Sequence, residues 1–117
     1  MAKGRIIWSH KARIKLTQIL EFYNERNHSN TFSAKLYKEI QQSIKLLLKQ
    51  PSLGIKTNEK SIRALIVGDY IIFYETSKNE IIIHTLWDCR QNPEDLVINY
   101  LFFTNFSHNF HQKLQFS

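Results

Sequence analysis

The chain has 117 residues, 43% of them hydrophobic, and only three glycines and two prolines, a composition that excludes a linker-rich or disordered protein and fits one globular core. Its single cysteine, Cys89, rules out an internal disulfide and a thiolate zinc cluster, and a reducing cytoplasm is the expected setting. Net charge is +6 but uneven: residues 1–60 hold 12 Lys/Arg against 4 Asp/Glu, whereas residues 61–96 hold 3 against 6. The basic half suits nucleic acid, an acidic protein or simply water.

Three apolar residues, Ile6-Ile7-Trp8, follow the N-terminal Met1-Ala2-Lys3-Gly4-Arg5. They are too few for the apolar region of a signal peptide, and no stretch reaches the ~18 apolar residues of a membrane span. Arg5 to Trp8 reads instead as a short strand, with Ser9 as the N-cap of a helix over about residues 10–26. Ala12, Leu16, Ile19, Leu20 and Tyr23 recur at helical spacing and form its apolar stripe. The polar Asn27-His28-Ser29-Asn30 breaks the pattern. A second stripe runs from Phe32 through Leu36, Ile40, Ile44, Leu47 and Leu48, and stops ahead of Pro51, whose ring disfavours a helical residue before it.

Leu53 to Lys60 is a loop by composition, after which the apolar period changes to two. Ser61–Val67, Tyr70–Thr76 and Ile81–Trp87 read as three strands, reversed at Gly68-Asp69 and at Ser77-Lys78-Asn79-Glu80. Asn92-Pro93-Glu94-Asp95 has the form of an N-cap, a proline at the first helical position and two acids in the first turn. The fold class is therefore α+β: an N-terminal strand and a two-helix hairpin packed on a three-strand antiparallel meander, with a short C-terminal helix. The organisation is a domain over 1–96 and an extension over 97–117, where five of the eight phenylalanines fall and acids vanish. That extension is expected to dock on its own domain or to bury against another chain, the latter giving a homo-oligomer, in preference to staying disordered.

The order and spacing of several segments resemble the RelE/ParE superfamily of type II toxin-antitoxin toxins, and most closely its ParE-like branch. They are Trp8, the Ala12/Leu16/Ile19/Tyr23 stripe, Pro51-Ser52-Leu53-Gly54, Ile62-Arg63-Ala64-Leu65, Gly68-Asp69-Tyr70-Ile71-Ile72-Phe73-Tyr74 and Trp87-Asp88-Cys89-Arg90-Gln91-Asn92-Pro93. The resemblance implies a growth-inhibiting toxin silenced by a cognate antitoxin, with DNA gyrase as the ParE-like target and no hydrolytic chemistry. Plasmid stabilisation is the setting it implies. In the RelE-like alternative the toxin is a ribosome-dependent, metal-independent mRNA endoribonuclease, with Arg63 and Arg90 as catalytic residues. Target or RNA contacts then fall to Lys56, Lys60, Arg63, Arg90 and Trp87, and antitoxin contacts to Leu16, Ile19, Tyr23 and Tyr37. A third reading is a toxin fold kept only as an interaction module. RelE-like nucleases place a functional tyrosine shortly after the last-strand arginine; here Gln91 to Leu96 follow Arg90, and Tyr100 is ten residues away.

Each residue also has a plainer role. Arg63 is a candidate cross-strand partner of Asp88 or Glu75, and Arg90 of Asp88. His84, within Ile81 to Leu86, reads as a hydrogen-bonded core or face histidine and not a general base, with no acid spaced in sequence to orient it; Cys89 reads as an inert thiol, and Trp8 and Trp87 as packing residues. The five histidines lack a ligand spacing beyond His108 and His111, so neither a metal nor any other cofactor is expected.

Overall fold

The computed structural model describes residues 4–90 of the chain, so the helix expected from Pro93 and the extension over 97–117 lie outside the described residues. Strand β1 (Arg5–Trp8) leads into helix α1 (His10–Asn27), and helix α2 (Thr31–Lys49) follows. Strands β2 (Ile55–Lys56), β3 (Ile62–Val67), β4 (Tyr70–Ser77) and β5 (Glu80–Asp88) complete one five-stranded sheet in the order β1-β5-β4-β3-β2.

Local chemistry sets the helix ends. The Ser9 hydroxyl accepts from the Ala12 amide at 3.0 Å, capping α1, and donates to the His84 carbonyl at 2.8 Å, which ties that cap to β5. At the far end His28 adopts a left-handed conformation (φ 52°) and returns its N–H to the Asn24 carbonyl. The Ser33 hydroxyl then bonds the Asn24 side chain, fixing the angle at which α2 leaves.

The meander forms as the alternation demands, with β3–β4 and β4–β5 antiparallel. The second reversal is a two-residue turn in which Lys78 (φ 43°) and Asn79 (φ 67°) are both left-handed, the twist that matches flanking strands. The first reversal uses Gly68 at φ 59°, where an L side chain is strained even in open space.

Two features correct the expected three-strand meander with a separate N-terminal strand. β1 runs parallel to β5, with Arg5 opposite Glu80 and Trp8 opposite Ile83, so it belongs to the same sheet as the meander. The Arg5 guanidinium closes that pairing on the Glu80 carboxylate at 2.7 Å. The segment expected as a loop over Leu53 to Lys60 contributes β2, which pairs Ile55 with Ala64 and Lys56 with Arg63. A two-residue strand carries too little alternation to stand out from its loop.

The helices cover one face of the sheet. Ala12, Leu16 and Tyr23 of α1 and Leu36, Ile40, Ile44 and Leu47 of α2 pack on Leu65, Tyr70, Ile72, Tyr74, Ile81, Ile83 and Leu86. The other face carries a second apolar cluster of Ile62, Ala64, Ile71, Phe73 and Trp87. What assigns residues to faces along β5 is a bulge: Tyr74 pairs with Ile83 and Phe73 with Thr85, which leaves His84 as the extra residue. Beyond it the facing reverses, so Leu86 joins the helix side and Trp87 the opposite one.

Candidate functional site

Past β5, Asp88 and Arg90 are two residues apart and fold onto each other. The Arg90 guanidinium donates from Nε to Asp88 Oδ1 at 2.9 Å and from Nη2 to Oδ2 at 2.8 Å, and the Arg90 amide donates to Oδ1 at 2.9 Å. A bidentate pair of this kind fixes orientation as well as charge. The same Nη2 also donates to the hydroxyl of Tyr23 at 2.7 Å and to that of Tyr70 at 3.3 Å. Tyr70 in turn donates to Tyr23 at 3.1 Å, which links α1 to the start of β4.

The electrostatics follow from these contacts. Burial pushes the Asp88 carboxyl upward, but the hydrogen bonds and charge of Arg90 outweigh it and hold the group below the ordinary carboxylate value. The Asp88 and Tyr23 hydrogen bonds keep Arg90 charged at every accessible pH. Burial, and then the bond to Tyr23, raise the Tyr70 phenol, so it remains a neutral donor. Arg90 is nevertheless half exposed.

It lines a cavity of about 390 Å³ whose other walls include Lys15, Gln18, Ile19, Phe22 and Arg26 of α1. Three cationic side chains, an aromatic wall and a single carboxylate already claimed by Arg90 suit a partner that brings acidic and apolar groups together. Around it, Tyr23 packs against Phe32 with the rings tilted by 53° and their centroids 4.6 Å apart, and meets Phe22 edge-on at 5.2 Å. Phe22 and Phe32 are both exposed, an aromatic surface continuous with the cavity.

The structure thus brings together Arg90, Ile19 and Tyr23 from among the residues singled out in the sequence, and adds Tyr70, Lys15 and Arg26. Tyr23 and Tyr70 are 47 positions apart, and only the packing of α1 across the sheet makes them neighbours. The remaining candidates lie elsewhere. Leu16 is in the core, while Tyr37 is exposed on α2 and accepts from Gln41. Trp87 is buried on the far sheet face, with Lys15 Nζ 5.9 Å from its ring centroid. Lys56 and Lys60 are exposed on and after β2.

Arg63 serves the loop before β2. The pairing with Asp88 or Glu75 expected from the sequence is not made; instead Nη1 donates to the carbonyls of Gly54 at 2.9 Å and Ser52 at 3.3 Å. Opposite it on β4, Tyr74 donates to the Pro51 carbonyl at 2.7 Å and accepts from the Gly54 amide at 2.8 Å. Tyr70 and Tyr74 are four residues apart on one strand, so the two arginines are separated by about 13 Å of sheet.

His84 is a hydrogen-bonded face histidine, as expected, though its partner is an acid that sequence spacing did not offer. Its Nε2 lies 2.7 Å from Glu75 Oε1, because the bulge turns the ring toward the carboxylate across the ladder. Cys89 is half-buried and its thiol is pushed up by burial and by the nearby Asp88, a direction that disfavours the reactive thiolate. Among the described residues there is no cluster of three or more His, Cys, Asp or Glu arranged for a metal, and no helix long and apolar enough to cross a membrane.

A family model described as the ParE toxin of type II toxin-antitoxin system, parDE, matches residues 6–93. Among solved structures, a chain of the chromosomal ParDE TA system from P. aeruginosa superposes with a TM-score of 0.63 at 18% identity, over 74% of this chain and 96% of that one. At that identity the likeness concerns the fold. No curated sequence matches the chain at a significant level.

Proposed function

Because the chain belongs to the ParE toxin family of type II toxin-antitoxin systems, we propose that it inhibits growth by gripping a macromolecular target, DNA gyrase, through the rim around Arg90, and that a cognate antitoxin silences it. The observation that carries this reading is the fixed guanidinium. Asp88, Tyr23 and Tyr70 hold Arg90 from three sides while leaving half of it open beside Lys15 and Arg26. A preordered cation of this kind loses little side-chain freedom on binding, which favours a docking role.

The antitoxin is assigned to the helical hairpin. Its exposed Phe22, Phe32 and Tyr37 offer aromatic anchors, and the first 60 residues carry the basic excess that attracts an acidic segment folding on contact. A cleavage role is less well supported. An mRNA cleft needs a cluster of cations on phosphate, and Arg63 turns its Nη1 to two backbone carbonyls about 13 Å along the sheet from Arg90.

Induced expression in a bacterial host, with and without the cognate antitoxin, tests the proposal. Growth arrest accompanied by gyrase-dependent DNA breaks is expected from the wild type, and neither from Arg90→Ala. Site-specific cleavage of translated mRNA would overturn the gyrase assignment in favour of the nuclease. Normal growth with wild-type protein present would leave an interaction module.

A further inference from the structure

Helix α2 carries a basic ridge on the side turned away from the sheet. Lys35, Lys38, Gln42, Lys45 and Lys49 recur at steps of three and four residues, so they fall within an arc of about 80° and run for about 21 Å along the helix. All five are exposed, and the buried Ser33, Leu36, Ile40, Ile44 and Leu47 occupy the opposite side. The ion pairs of the described residues, Arg5 with Glu80, His84 with Glu75 and Arg90 with Asp88, involve neither these four lysines nor Glu39, the single acid of α2.

Helix stability does not account for this pattern. Like charges three or four positions apart repel, and the helix dipole favours acids in the first turn, where α2 has none. Of the four lysines only Lys49, in the last turn, stands where the dipole favours a cation. A partner that supplies the missing negative charge does account for it.

We propose that this ridge docks on the phosphate backbone of a nucleic-acid duplex, without regard to base sequence. Two features select nucleic acid over an acidic protein. Protein interfaces take their energy from aromatic and arginine anchors and are depleted in lysine, and the arc holds neither an aromatic residue nor an arginine. Duplex DNA, by contrast, presents a charge every ~1.7 Å of its axis, so a straight row of ammonium groups on flexible stems meets phosphate along its whole length. The ridge is also separate from the surfaces described above. The cavity beside Arg90 is lined from α1, β4 and the end of β5, and Phe32 and Tyr37 lie outside the arc, so the inference does not depend on the gyrase assignment.

Fluorescence anisotropy of the full-length protein with labelled DNA and RNA duplexes of about 20 base pairs, between about 50 and 200 mM salt, tests this. Four phosphate contacts make the affinity fall about 150-fold over that range. Such binding to either duplex supports the proposal and names the source of the phosphates. Lys38→Gln combined with Lys45→Gln should reduce the fall to about 12-fold. Arg13→Gln combined with Lys78→Gln removes the same charge from exposed positions off the ridge and should leave the wild-type fall unchanged. Absence of wild-type binding to both duplexes at the lower salt would overturn the proposal, whether or not the variants fold. Equal effects of the two double variants would overturn it by showing that net charge alone attracts the duplex. Displacement of the duplex by polyglutamate at equal charge concentration would overturn it in favour of an acidic peptide.

Discussion

Arg63 and Arg90 serve opposite purposes at the two ends of the same strands, and the contrast shows how surroundings decide what a guanidinium is for. Around Arg63 the partners are backbone carbonyls of Ser52 and Gly54, fixed acceptors belonging to a loop that must be held closed. Around Arg90 they are one carboxylate and two phenols, which hold the group in place and leave half its surface for something else. The tyrosine beneath each follows suit. Tyr74 is fully buried and stitches Pro51 to Gly54, whereas Tyr70 braces Tyr23 under the cavity.

If this division is right, the Arg63 end determines stability and the Arg90 end determines toxicity. The strongest disturbance is expected from Gly54→Val. A Cβ at Gly54 would sit 2.7 Å from the Tyr74 ring and 2.9 Å from the Ala64 carbonyl, so backbone or a buried aromatic must move. A loss of about 3 kcal/mol is expected, read as a lower midpoint in urea unfolding. A variant as stable as the wild type would mean that the loop is free to shift and that Arg63 and Tyr74 do not pin it.

Next in size is Tyr74→Phe, which leaves the Gly54 amide and the Pro51 carbonyl without the hydroxyl they share. The cost of stranding such groups is about 2 kcal/mol, measurable by the same unfolding curve. Arg63→Ala removes bonds that are partly solvent-exposed and is expected to cost about 1 kcal/mol, with growth inhibition preserved. Loss of toxicity in a folded Arg63→Ala protein would erase the distinction between the two ends.

How much of this was legible in the chain differs by element. The helices declared themselves through Ala12/Leu16/Tyr23 and Leu36/Ile40/Ile44, because a one-sided stripe repeats over several turns. The meander was visible for the same reason at period two. The parallel pairing of β1 with β5 was not, since joining Arg5 to Glu80 depends on how the helical hairpin returns the chain and not on local pattern. Nor was the bulge at His84 visible, because the run from Ile81 to Leu86 is apolar on both faces and conceals a change of facing.

The site divides in the same way. Asp88 and Arg90 are close enough in sequence for their pairing to be anticipated, and Tyr23 was part of the α1 stripe. Their union with Tyr70 and the Lys15 and Arg26 walls is a product of tertiary packing alone. Arg63 illustrates the reverse error: its position on a strand suggested a carboxylate across the ladder, yet its cross-strand neighbour is Tyr74 and its Nη1 turns to the loop.

The smallest expected stability change belongs to the residue with the largest expected biological one. Arg90→Ala removes a half-exposed guanidinium and opens Asp88, 21% exposed beneath it, to water, so its cost is about 0.5 kcal/mol or less once solvent screening is allowed for, while growth inhibition is lost. Its pH dependence has a definite sign. In the folded wild type Asp88 titrates below its ordinary value of 3.8, so the unfolded chain binds a proton more readily and the contribution of the pair is complete above that value. As pH falls from 3.8 through the folded value, the carboxylate is protonated in both states and the contribution disappears. The stability gap between wild type and Arg90→Ala should therefore be constant at neutral pH and shrink progressively as pH falls below 3.8, in paired urea titrations. A gap that stayed the same on acidification would mean that Arg90 is held chiefly by Tyr23 and Tyr70, and that Asp88 is incidental to the grip.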